Sequence, residues 1–172
     1  MNVSKVMISK EEIELKVKEI ESKIEKDYEG QELFVIGVLK GACVFVSDLI
    51  REINLPVTLD FMAVSSYGMS TESSGIVKII KDLDMDITGM NVLIVEDIID
   101  TGLTLNYLRE YLAARHVKSL KICTLLDKPQ RRKCDVLADY VGFSIEDKFI
   151  VGYGIDCKEQ YRNLPYIAAV ED

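Results

Sequence analysis

The stretch Glu96-Asp97-Ile98-Ile99-Asp100-Thr101-Gly102-Leu103-Thr104 combines two kinds of polar chemistry. Glu96 and Asp97 are adjacent carboxylates. They repel a phosphate but suit hydroxyls, such as a ribose diol, or a divalent cation held by oxygen ligands. The residues from Asp100 to Thr104 offer the opposite. Small and hydroxylated residues at a helix start expose backbone N–H groups, and the helix dipole adds partial positive charge there. Gly102 allows a tight turn and a close approach of backbone to ligand, and Thr101 and Thr104 add hydroxyl donors. This half suits a phosphate monoester, so a sugar phosphate satisfies both halves. Strand-end acids and an Asp-Thr-Gly turn also occur as plain loop and cap residues, and residue types alone leave that open.

The flanking residues say how this chemistry is positioned. Val92-Leu93-Ile94-Val95 is a short apolar run, mostly β-branched, as in a buried strand. Leu105, Leu108 and Leu112 then recur at helical spacing. The order is strand, polar loop, helix amino terminus, which is where open α/β sheets bind ligands. The plan repeats at Leu33–Leu39, Lys40-Gly41 and the apolar helix Ala42–Ile53, again offering N–H groups and a cation to an anion; in isolation one Lys-Gly is weak evidence and reads first as a plain turn. Upstream, Ser9-Lys10-Glu11-Glu12 is a capping box, and Ile13, Val17, Ile20 and Ile24 mark the buried face of the helix it starts.

Val57–Val64 reads as a strand, and the small, polar, glycine-bounded segment 65–75 as a mobile loop before a returning strand over 76–81. Leu120–Leu126 is a further buried strand, ended by Asp127-Lys128-Pro129, which presents Lys128 at its carboxyl end. Gln130-Arg131-Arg132-Lys133 reads as a solvated basic turn. Tyr140–Ile145 and Phe149–Gly154 read as the last strands, followed by a short apolar piece at Ile167–Val170. His116, the one histidine, lacks the partners that catalysis needs.

With 172 residues, 48% of them apolar, a single domain spanning 1–172 with a full core is expected. A net charge of −8 argues against a nucleic-acid binder. An anionic substrate would then need Mg²⁺ and a few placed cations to reverse the sign locally. The cysteines at 43, 123, 134 and 157 form no CxxC, so neither a zinc site nor a disulfide framework is expected. The start Met1–Lys5 lacks an apolar signal core and no run reaches membrane-spanning length, which fits a cytoplasmic protein with no membrane partner.

The run from Val92 to Thr104 resembles the phosphoribosyl pyrophosphate (PRPP) signature of type I phosphoribosyltransferases. In detail, Glu96–Gly102 is similar to the purine-salvage branch. The likeness extends from Leu39 to Arg162 and implies an α/β fold. That fold has a central parallel sheet flanked by helices, a small hood built from the N-terminal segment and the C-terminal part, and a flexible lid loop. The implied reaction transfers 5-phosphoribose from PRPP to nitrogen nine of hypoxanthine or guanine, giving IMP or GMP and pyrophosphate, with Mg²⁺ as cofactor. The implied oligomer is a homodimer or homotetramer.

Residue by residue, the resemblance implies that Thr101, Gly102, Leu103 and Thr104 hold the 5′-phosphate, and that Glu96 and Asp97 hold the ribose hydroxyls directly or through the metal. Asp100 accepts a proton from the purine. Lys40, Gly41 and Arg162 hold pyrophosphate, across a Leu39–Lys40 peptide that is cis in the family. Lys128 donates to the 6-oxo group, Phe149 stacks on the base, and Ile150 reads its edge through backbone. Ile98 and Asp156 complete the purine side, with Asp156 also on the metal side. Ser66-Tyr67 belongs to the lid. Leu103 departs from relatives that carry a lysine there and can add no cation. A nucleotide-linked regulator, a receiver domain, and a pyrimidine- or xanthine-preferring transferase remain as alternatives.

Overall fold

The computed structural model describes residues 2–66 and 77–171. Tyr67 and most of the expected lid lie outside the described residues. The chain runs β1 (Asn2–Ile8), α1 (Lys10–Asp27), β2 (Leu33–Leu39), α2 (Cys43–Glu52), β3 (Val57–Ser66), β4 (Val77–Lys81), β5 (Asn91–Ile99), α3 (Leu103–Ala113), β6 (Ser119–Asp127), a 3₁₀ turn at Pro129–Arg131, β7 (Tyr140–Ser144), β8 (Ile150–Val151) and β9 (Ile167–Glu171).

Six strands form one sheet in the order β4-β3-β2-β5-β6-β7. All neighbours are parallel except the edge pair β3/β4. Alternation along the central strands divides their side chains between two cores. Val35, Leu93 and Val95 face α1 and α2, joining Ile13, Val17, Ile20, Phe45 and Leu49. Phe34, Ile36, Val92 and Ile94 face α3, joining Leu105, Leu108 and Leu112. Helices on both faces are what a buried parallel sheet requires. The capping box at the start of α1 is formed, with Ser9 and Glu12 each accepting the other's backbone N–H.

A second sheet, β1-β9-β8, is antiparallel. It packs Ile8, Ile150 and Ile167 into the α1/α2 core and forms the hood. Its first strand is not legible in Asn2–Ile8, because its partner lies some 165 residues away, as in the Ser4 to Ala169 hydrogen bond.

Two expectations are corrected. The strand expected to end at Val95 continues through both acids to Ile99, paired with β6 as far as Asp127. The strand expected over Phe149–Gly154 is only Ile150–Val151. Gly152, Tyr153 and Gly154 all take left-handed backbone, with φ of 105°, 51° and 96°, so the chain curls out of the sheet.

Candidate active site

The carboxyl ends of β2, β5 and β6 lie side by side, because these strands are parallel neighbours in register. The loops after them carry Lys40-Gly41, Asp100–Gly102 and Lys128. Glu96 is buried and Asp97 half-buried, both still within β5. Burial, and then the charge of Asp97, pushes the Glu96 carboxyl well above its ordinary range. Burial likewise raises Asp97, opposed by the Ile98 N–H and by the charge of Arg162. Asp97 Oδ1 accepts that N–H at 2.8 Å.

The loop after β2 presses on this pair. A Cβ built on Gly41 would sit 1.9 Å from Asp97 Oδ2, so only glycine fits. Gly154 in turn backs onto Gly41, where a Cβ would meet the Gly41 carbonyl oxygen at 2.4 Å. The Leu39–Lys40 peptide is cis. The stack therefore joins the loop after β2, the acid pair, and the curled segment 152–154.

Arg162 is fastened to the same segment. Its Nη1 donates to the Gly154 carbonyl at 2.8 Å, and the Gly154 N–H donates to the Arg162 carbonyl at 2.9 Å. Its Nη2 pairs with Asp156 at 3.2 Å and with Glu159 at 3.1 Å. Lys40 Nζ reaches Glu159 at 2.8 Å. The two cations expected to share one ligand thus share one carboxylate. Glu159 is absent from the sequence reading. The signal that could have found it is the spacing Asp156-x-x-Glu159-x-x-Arg162, which puts two acids upstream of the arginine.

The loop after β5 is built differently. Gly102 caps α3 with left-handed backbone (φ 82°), and the Thr101 hydroxyl accepts the Leu103 N–H at 3.4 Å. The stretch Gln130–Lys133 is the solvated basic turn expected at Gln130, Arg131 and Lys133, which are exposed, while Arg132 is drawn in. Arg131 Nε pairs with Asp100 at 2.9 Å, and Arg132 Nη1 donates to the Asp100 carbonyl at 2.8 Å. Arg132 also pairs with Asp127, with little of either side chain exposed. The Lys133 N–H donates to the Thr101 carbonyl at 2.9 Å. The reason Arg132 turns inward is local charge: Asp127 on the neighbouring strand end attracts its guanidinium, and a planar donor fork can satisfy both carboxylate and carbonyl.

Lys128 is buried at 7% exposure. Its Nζ donates to the Lys148 carbonyl at 2.6 Å and lies 3.5 Å from Asp147. An ammonium has three donors, and the Lys148 carbonyl takes one of them, which leaves donor capacity for a ligand. Phe149 is 58% exposed, an unusual state for a phenyl ring, while the Ile150 side chain is core. Ile98 is partly buried and packed against the α1/α2 core. Ser66 ends β3 opposite Val77. Among the described residues no three acid, histidine or cysteine side chains gather as a metal cage. Glu96 and Asp97 stand together, and Asp156 is with Arg162 instead. A cavity of about 620 Å³ lies between α1, α2 and the 162–165 turn, touching this site through Arg162.

A family model described as the phosphoribosyl transferase domain matches residues 7–158. This chain belongs to the phosphoribosyl transferase family. It is 55% identical over 170 residues to the hypoxanthine-guanine phosphoribosyltransferase of Bacillus subtilis, covering 99% of this chain and 94% of that protein. It is 49% identical to the bifunctional protein TilS/HprT of Listeria monocytogenes, of which it spans only 26%. Among solved structures, a hypoxanthine-guanine phosphoribosyltransferase from Bacillus anthracis superposes with a TM-score of 0.96 at 57% identity, over 99% of this chain and 100% of that one. The fold is accordingly the type I phosphoribosyltransferase fold, with its hood. No helix among the described residues is long and apolar enough to cross a membrane.

Proposed function

We propose that this chain salvages purines, transferring the 5-phosphoribosyl group from PRPP to nitrogen nine of hypoxanthine or guanine to give IMP or GMP and pyrophosphate. The observation that carries this reading is the meeting of three loops at adjacent strand ends. One is a cation loop (Lys40-Gly41) packed on a buried acid pair (Glu96-Asp97), and the others are a helix-terminal phosphate loop (Thr101–Thr104) and a buried lysine (Lys128). The identity to hypoxanthine-guanine enzymes over nearly the full chain supports the choice of substrates.

Members of this family use Mg²⁺ with PRPP. The residues here fit such an ion. Two adjacent carboxylates, both raised by burial and Glu96 further by the charge of Asp97, are relieved by a divalent cation. Mg²⁺ also takes only one or two protein carboxylates beside substrate oxygens and water, so a complete protein cage is not needed. Glu96 and Asp97 would hold it, with Asp156 nearer the pyrophosphate side. Its chemistry would be to neutralise charge developing on the departing pyrophosphate.

The chain's own groups do the rest. The N–H groups and hydroxyls at Thr101, Gly102, Leu103 and Thr104 anchor the 5′-phosphate; Leu103 contributes backbone only. Glu96 and Asp97 orient the ribose hydroxyls. Lys40, the Gly41 backbone and Arg162 receive pyrophosphate and stabilise its charge as the glycosidic bond breaks. Asp100 accepts the proton that the purine ring sheds as nitrogen nine attacks. A remaining Lys128 hydrogen donates to the 6-oxo group; adenine's 6-amino group would meet it donor to donor. Phe149 stacks on the base, the Ile150 backbone reads its edge, and Ile98 and Asp156 bound the pocket. The lid role expected of Ser66-Tyr67 falls on a segment that, from Tyr67 on, lies outside the described residues. The single domain 1–172 carries all of this, in the cytoplasm, as a homodimer or homotetramer that binds neither nucleic acid nor membrane.

The test is pyrophosphate release from PRPP and Mg²⁺ with hypoxanthine, guanine, xanthine, adenine and uracil in turn. Turnover of the 6-oxopurines and not of adenine or uracil is expected. Tight PRPP binding with no turnover of any base would replace the enzyme by a sensor on the same fold.

A further inference from the structure

We infer that Glu159 is a built-in stand-in for pyrophosphate: its carboxylate holds Lys40 and Arg162 and yields them when pyrophosphate binds. The inference rests on the reading of those two cations given above. Glu159 uses one oxygen for each, Oε2 to Lys40 Nζ at 2.8 Å and Oε1 to Arg162 Nη2 at 3.1 Å. A bridging carboxylate of this kind reproduces two of the contacts that a phosphate group would make.

The placement of Glu159 comes from backbone rather than from a flexible side chain. Lys158, Glu159 and Tyr161 all hold left-handed backbone, with φ of 51°, 61° and 74°. Such conformations cost free energy in non-glycine residues and persist where surrounding structure imposes them. Here the turn is closed by Asp156 Oδ2, which accepts the Glu159 N–H at 2.8 Å, and by the paired backbone of Cys157 and Gln160. Lys40 is 119 residues away in the chain, so this contact is a product of the fold.

The same geometry makes the contact easy to displace. The Lys40 and Glu159 side chains are 68% and 63% exposed, and exposed ion pairs are weak. A multiply charged pyrophosphate outcompetes a single carboxylate. Once displaced, however, Glu159 is a nearby like charge that weakens retention of the product. Glu159 therefore holds the cations in place before substrate arrives and favours release of pyrophosphate afterwards.

The experiment compares wild type with Glu159→Gln, a substitution that keeps shape and removes charge. Pyrophosphate binding is measured by calorimetry with Mg²⁺, and KM for pyrophosphate is measured in the reverse reaction from IMP. Glu159→Gln should bind pyrophosphate roughly 2- to 10-fold more tightly, the range set by one or two exposed ion pairs. IMP affinity should be unchanged, and the gain should shrink as salt is raised. In a Lys40→Ala background the gain should fall. Unchanged or weaker pyrophosphate binding by Glu159→Gln, with wild type binding normally, overturns the stand-in role alone. Failure of wild type itself to bind pyrophosphate overturns both this role and the function proposed above.

Discussion

The two loops proposed to receive anions are held in opposite ways. The loop after β5 is fastened by groups withdrawn from water. Arg132 donates to the Asp100 carbonyl and pairs with the largely buried Asp127, and backbone from Lys133 ties down Thr101. The loop after β2 is fastened at its glycine, wedged against Asp97, while its cation points to an exposed partner on another segment. The difference matches the tasks proposed for them. The 5′-phosphate stays with the nucleotide throughout, and a rigid cradle carries no penalty. Pyrophosphate must be gripped and then released, which suits cations held by weak, displaceable pairs.

The largest expected effect is on chemistry rather than on either cradle. Asp100→Asn should lower turnover on the order of 10²- to 10⁴-fold while IMP binding, followed by calorimetry, changes little. An equal loss in both would remove Asp100 as the base and leave it a part of the phosphate loop.

Gly41→Ala strikes the wedged contact directly. Its new methyl group would lie 1.9 Å from Asp97 Oδ2, and overpacking of this kind costs about 1–3 kcal/mol. A drop in kcat/KM for PRPP of roughly 5- to 150-fold is expected, with a lower melting temperature. Wild-type kinetics in this variant would show that the β2 loop is free to move away from the acids, and the contrast between the loops would fail.

Lys128→Ala should narrow the preference for hypoxanthine over adenine by roughly 10-fold or more, since a site built to donate to an oxo group rejects its amino analogue strongly. An unchanged preference ratio would place base selection elsewhere.

The smallest effect is a control remote from both loops. Burial opposes the charge of Asp60, but the N–H groups of Asp84 and Phe61 and the Lys81 ammonium outweigh it, holding the carboxyl below its ordinary value of 3.8. The charged form is therefore favoured in the folded state. Its contribution is present above that ordinary value and is lost as pH falls through the lower folded one. Asp60→Asn should destabilise by about 1 kcal/mol at neutral pH, with activity per folded molecule unchanged. The gap in melting temperature to wild type should close below about pH 4. A gap that persists in acid would mean shape, not charge, is what Asp60 contributes.

Local periodicity made much of this molecule legible. The apolar runs at 33–39, 92–95 and 120–126 and the spacing of Ile13, Val17, Ile20 and Ile24 dictate strands and a helix whatever surrounds them, because burying those faces dominates the free energy. The acid pair, the Asp-Thr-Gly turn and Lys128 were likewise legible, since each closely follows one of these apolar runs in the chain. Tertiary structure alone decided the rest. Strand β1, with no clear alternation of its own, exists because β9 offers it an edge. Within the exposed basic turn, Arg132 alone turns inward because Asp127 and the Asp100 carbonyl on neighbouring strand ends attract it. Glu159 meets Lys40 and Arg162 because a run of left-handed residues brings it there. Contacts between groups far apart in sequence depend on which loops the sheet order makes neighbours, and no local pattern encodes that order.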